Sequence, residues 1–219
     1  MTKHQQQQSL SQSQESGYTI LEAIMAIVVV SVLMIAIAPM VVYSTGTRVQ
    51  ARRVELATQA GRTYIDGVKA GAIAAPTATV PMTSTAARTT FTVPVPSNGS
   101  LNCSTDGYCQ SDPTLYCVNL DDVAGCLSTS LRDMVIQPYR SVTSATDNGN
   151  QGYLLGVRVY RADAFKAGVT LVNPPTIQQS TVTNGIGSPS LPVVLMTTEI
   201  APTGDSPRDG LCARLGCQE

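Results

Sequence analysis

Two kinds of side chain are placed where they could do chemistry. Glu22 is the only strongly polar member of the apolar run ILEAIMAIVVVSVLMIAIAPMVV that occupies residues 20–42. A carboxylate at membrane depth costs about 3 kcal/mol even on lenient insertion scales, so an acid held there is expected to carry a function. The second set is six cysteines, Cys103, Cys109, Cys117, Cys126, Cys212 and Cys217. Their even number suits disulfides in an oxidising compartment, with Cys212 and Cys217 close enough in sequence to close a local loop. Spacing leaves the pairing of the other four open. A zinc site would need ligand pairs roughly two to four residues apart. Only Cys212 and Cys217 approach that, and no His accompanies them, so no metal is expected.

The same inventory argues against catalysis. The one histidine, His4, lies before the apolar run in the polar stretch MTKHQQQQSLSQSQESG. A Ser/His/Asp or Cys/His arrangement would have to draw on it. Asp121 and Asp122 are adjacent, point apart on a strand, and read as a solvated turn. No phosphate-binding or dinucleotide-binding glycine pattern is present. Neither an enzyme nor a cofactor is therefore expected. A net charge of −1 with 13% charged residues also gives no basis for general nucleic-acid binding. The local candidate, Arg208 and Arg214 beside the Cys212 to Cys217 loop, is nearly cancelled by Asp205, Asp209 and Glu219. Asn98-Gly-Ser and Asn102-Cys-Ser fit the short glycosylation acceptor pattern.

These groups need elements to position them. At roughly 1.5 Å per residue the apolar run makes about 35 Å of helix, enough for a hydrocarbon core of about 30 Å. A core helix of a soluble domain would be shorter and keep a polar face. Past Val42 the chain reads YSTGTR and has no small-residue A-x-A pattern of the kind that ends a secretory signal. The run is expected to stay on the protein, and the junction at Gly17-Tyr18 looks like a cut made before the helix.

Gly17 followed by Tyr18-Thr19-Ile20-Leu21-Glu22 and then about twenty apolar residues resembles the processing site of type IV prepilins and pseudopilins. The resemblance covers Gly17 to Val42 and departs from the commoner pattern at Tyr18, where Phe is more frequent. It implies cleavage after Gly17 by a prepilin peptidase, methylation of the new N-terminus, and Glu22 as the fifth residue of the mature chain. Pro39 matches a proline often found within such helices. It further implies that Glu22 meets the N-terminal amine of a neighbouring subunit during filament assembly. A bend at Pro39 that unwinds on assembly is the matching expectation for the helix.

After the span, Val49, Val54, Ala57, Gly61, Tyr64, Ile65 and Val68 recur at helical spacing between charged residues, predicting an amphipathic helix that ends near Gly71 or before Pro76. Residues 71–100, rich in Ala, Thr, Pro and Ser, read as a loop with a strand-like piece at 89–93. Strands are predicted at 114–120, 134–137, 153–161 and 192–200. The alternation in 153–161 predicts one buried face, and Asp147-Asn-Gly149 predicts a turn before it. The fold class is α+β: a pilin-like long N-terminal helix on an antiparallel sheet, as the resemblance also implies. Its parts are a leader at 1–17, a membrane-spanning half-helix at 18–43, an amphipathic half-helix at 44–71 and a β-rich domain with disulfides at 72–219.

Charge and cysteine disagree about topology. Arg48, Arg52 and Arg53 follow the span, and a positive-inside count would place the following domain in the cytoplasm. The cysteines and the prepilin-like junction place it outside, in a bacterial inner membrane before assembly and in a periplasmic or surface filament afterwards. The leading expectation is a structural subunit, a minor pilin or pseudopilin of a type IV pilus or type II secretion-like filament. Its partners would be other pilin subunits, the prepilin peptidase, an inner-membrane assembly platform and the membrane itself. Glu22 argues against the tip pseudopilins that lack this acid. The alternatives are a major pilin, or a membrane-tethered adhesin or DNA-uptake receptor on the same anchor.

Overall fold

The computed structural model describes residues 19–81, 93–97, 101, 103–142, 149–150, 152–172 and 187–202. In chain order its elements are α1 (Ile20–Lys69), β1 (Thr79–Pro81), β2 (Gly107–Tyr108), β3 (Tyr116–Val118), β4 (Met134–Val142), β5 (Tyr153–Arg161), a 3-10 turn (Ala162–Phe165) and β6 (Val194–Ile200). The layout is α+β. The chain divides into two compact units, Met1–Ser44 and Thr45–Glu219, and α1 contributes to both.

In the second unit the strands form one sheet in the order β2-β3-β4-β5-β6, with antiparallel neighbours along that path. The expectation of a wholly antiparallel sheet needs one correction, because β1 pairs in parallel with the far end of β4. Thr79–Pro81 and Gly107–Tyr108 are strands the sequence pattern did not predict. The predicted strand 114–120 shortens to Tyr116–Val118, and 192–200 to Val194–Ile200. Residues 93–97 form no strand, and 89–92 lie outside the described residues.

β5 keeps its predicted bounds but not its predicted exposure: all nine residues are buried. Tyr153, Leu155, Val157 and Val159 join Met134 and Ile136 against Ala57, Ala60, Tyr64, Ile65 and Val68 of α1. The opposite face is covered too. There Tyr160 and Val135 pack with the four cysteines 103–126 and with Phe165, while Tyr139 and Leu154 pack with Val93. The sheet is the middle of three layers, which explains why Arg158, on the face opposite the one the alternation predicted to be buried, is buried too.

β4 continues through Pro138 to Val142, where the sequence pattern ended it at Gln137. Proline is excluded from strand interiors when its missing N–H faces a partner. Here it does not. Arg140 donates its N–H to the Ala78 carbonyl on the β1 side (3.0 Å), and alternation puts position 138 on that same side. β3 pairs with β4 only up to Ile136 and β1 only from Arg140, so Pro138 falls in the interval between them.

The helix face is also shifted. Val49 is 44% exposed, whereas Gln50 is buried. A step of seven residues from Gln50 reaches Ala57 and then Tyr64 on one face of the helix, while Val49 lies a full residue out of phase. α1 ends at Lys69. Gly71 then takes φ 71°, with Gly71 N–H donating to the Val68 carbonyl and Ala72 N–H to that of Gly67, a Schellman closure.

Candidate functional site

Of the four residues assigned to processing and assembly, Glu22 and Pro39 are described; Gly17 and Tyr18 lie outside the described residues. α1 begins because Thr19 caps it. The Thr19 hydroxyl accepts the N–H of Glu22 (3.3 Å), and the Thr19 carbonyl accepts the N–H of Ala23 (3.0 Å). This is the Ser/Thr-x-x-Glu pattern of a helix start, legible as T-I-L-E in the sequence but missed there. Glu22 sits at the third helical position, where the positive end of the helix dipole favours its charge.

From Ile20 to Tyr43 every residue is exposed. α1 is the one described helix long and apolar enough to cross a membrane by length and composition. The other polar residue of the apolar run, Ser31, donates its hydroxyl to the Ile27 carbonyl (2.7 Å) and so hides the group against its own helix. The helix runs through Pro39 as one continuous element. Proline there supplies no N–H to Ile35, so that carbonyl lacks its usual helical donor.

In the second unit the cysteine region forms a braced layer. Cys103 pairs with Cys109 and Cys117 with Cys126, a pairing that spacing left open, and no described cysteine is free. Cys212 and Cys217, with their expected local loop, lie outside the described residues, as do Arg208, Arg214, Asn98 and Asn102. So do Asp147 and Asn148, although Gly149 has the positive φ (89°) that a turn requires. Inside the 119–133 loop the buried Asp133 carboxylate accepts the N–H groups of Leu120 (3.1 Å) and Leu127 (3.3 Å). Asp121 accepts the Ser130 hydroxyl (2.7 Å) and the Val123 N–H (2.9 Å), and these bonds hold its carboxyl below the usual range. Asp121 therefore organises a turn, in which Asp122 is exposed.

Polar groups inside the domain are tied to backbone and to rings. Arg158 donates to Gln137 Oε1 (3.3 Å), Gln137 donates to the Pro94 carbonyl (2.8 Å), and the Arg158 guanidinium lies 5.5 Å from the centroid of Tyr139. Arg140 donates to the Pro76 carbonyl (3.0 Å). Arg161 forms a bidentate pair with Asp163. Burial lowers the pKa of Arg53, with Arg161 adding to the effect and Asp163 opposing it. Tyr108 gives its one proton to the Ala74 carbonyl (3.0 Å), so Tyr64 must be the donor in the 2.7 Å contact between the two hydroxyls. Burial, with the neighbouring Tyr108, drives the Tyr64 phenol well above its ordinary value. Among the described residues the structure brings no acid, base and nucleophile together around a cleft. It offers an exposed apolar half-helix that starts at a neutral cap with one acid in its first turn, and a separately braced domain. Compared with protein-family models, with curated proteins and with solved structures, the chain matches none.

Proposed function

We propose that the chain is a structural subunit of a membrane-associated filament, a minor pilin or pseudopilin, cut after Gly17 and joined to its neighbours through the first half of α1. The observation that carries this reading is Glu22: a single carboxylate in the first turn of a helix whose next twenty or so residues are apolar and exposed. An exposed apolar surface of that length needs lipid or other helices around it. Cutting after Gly17 creates an amine on Tyr18, one helical turn from Glu22. In a bundle of such helices the amine of one copy and the carboxylate of the next can neutralise each other in an apolar medium. Cystine pairs in the second unit are compatible with a domain held outside the cytoplasm. The test is N-terminal mass spectrometry of the protein from cells with and without the prepilin peptidase. The expected mature N-terminus is Tyr18, appearing only when the peptidase is present; any other terminus would refute the reading.

A further inference from the structure

Two positions in α1 carry charge that the domain does not use. Arg48 and Arg52 are exposed, and neither takes part in an ion pair among the described residues. Arg140, Arg158 and Arg161, by contrast, are buried and bonded inside the domain. Arg48 and Arg52 stand one turn apart and line a shallow groove with Ala51, Glu55, Leu56 and Gln59, where Glu55 is the only acid. They also lie on the wrong side of the span for a positive-inside count if the disulfide-bonded domain is outside the cytoplasm. Something must favour arginine there.

The geometry points to a binding site for anionic phospholipid headgroups formed by Arg48 and Arg52 at the outer end of the apolar helix. At a helical rise of about 1.5 Å the two residues follow Val42 by roughly 9 and 15 Å along the chain. The headgroup layer beyond the hydrocarbon core is roughly 5–8 Å thick. Helical Cα–Cβ bonds tilt toward the N-terminus, so both side chains reach back toward the span, the Arg48 guanidinium into that layer and the Arg52 guanidinium to its outer edge. Tyr43, half exposed at the end of the apolar run, suits the same boundary as an interfacial aromatic. The planar guanidinium matches phosphate oxygens in bidentate fashion, which lysine would not. The site rests on the membrane reading above and adds to it a lipid partner that holds the unassembled subunit at a fixed depth.

The test is to reconstitute the full chain into vesicles of phosphatidylcholine and phosphatidylglycerol in equal parts, extract it in mild detergent, and count retained lipids by native mass spectrometry. Phosphatidylglycerol should be enriched over its bulk share, with each of Arg48→Gln and Arg52→Gln lowering the enrichment about fivefold. Arg62→Gln, farther along the same helix, should leave it unchanged. Retention at the bulk ratio by the wild type, or the same enrichment in the double variant R48Q/R52Q, would overturn the site while leaving the filament reading intact. A chain that fails to enter vesicles would overturn both. If the double variant keeps normal lipid retention but loses filament incorporation, the arginines serve neighbouring subunits and the lipid site is refuted.

Discussion

Replacing Gly156 by Ala asks whether the cross-strand contact with Tyr139 governs that part of the sheet. The two residues face each other in the β4–β5 register. A Cβ on residue 156 would lie 2.3 Å from Cε2 and 2.4 Å from Cζ of the Tyr139 ring, distances at which one of them must move. The ring is buried against Val93 and Leu154, with the Arg158 guanidinium above it, so it has little room to move. Overpacking of this kind costs about 1–3 kcal/mol. Relief of glycine from a strand returns about 0.5–1 kcal/mol. The expected net loss for Gly156→Ala is therefore about 1–2 kcal/mol. In a Tyr139→Ala background the methyl enters vacated space, and the same change should be neutral or slightly stabilising. The measurement is a double-mutant cycle by urea unfolding in detergent, followed by near-ultraviolet circular dichroism of the tyrosines, since the chain has no Trp. A coupling of about 2 kcal/mol is expected. Equal losses in both backgrounds, within about 0.5 kcal/mol, would refute the steric account.

Asp133→Ala should cost about 3 kcal/mol, because it leaves the N–H groups of Leu120 and Leu127 without their carboxylate; limited proteolysis should then cut within residues 119–132 faster than in the parent. Removing the Cys117–Cys126 bridge by paired Cys→Ser changes releases a loop of sequence separation 9 and should cost about 2.5 kcal/mol, read as a lower denaturant midpoint. Burial raises the pKa values of Tyr64, Tyr108, Tyr116, Tyr139, Tyr153 and Tyr160, Tyr153 to about 12. The unfolded phenols lose their protons first, so this stabilisation is complete below about pH 10 and is lost as pH rises through the folded values. Tyrosinate absorbance of the folded chain should lag that of the urea-unfolded chain, and coincident curves would contradict the burial. On the filament reading, Glu22→Ala should still be cleaved after Gly17 yet fail to enter filaments; normal incorporation would remove the charge-pairing role.

What the sequence made legible is what repeats at short range. The period of two in β5 placed that strand to the residue, and the period near 3.6 placed the second half of α1 apart from the one-residue shift at Val49. The T-I-L-E start was equally readable, since a cap is a local spacing rule. Non-local facts were not. A strand of two or three residues, such as β1 or β2, carries no periodicity, and the parallel pairing of β1 depends on where β4 ends up. Arg158 falls on the face opposite the one the alternation predicted to be buried; only the layer containing the cystines and Pro94 makes its burial intelligible. Pro138 ended a predicted strand because sequence cannot show which edge of β4 lacks a neighbour.

The cap at Thr19 has a further bearing on position 22. A neutral hydroxyl closes the first turn of α1, so the helix owes its starting point to Thr19. Glu22 contributes its backbone to that closure, and among the described residues its carboxylate makes no bond. On the filament reading, shape and connection would then fall to different residues three apart. On that reading, substitution at position 22 should alter what the rod can be joined to without altering the rod.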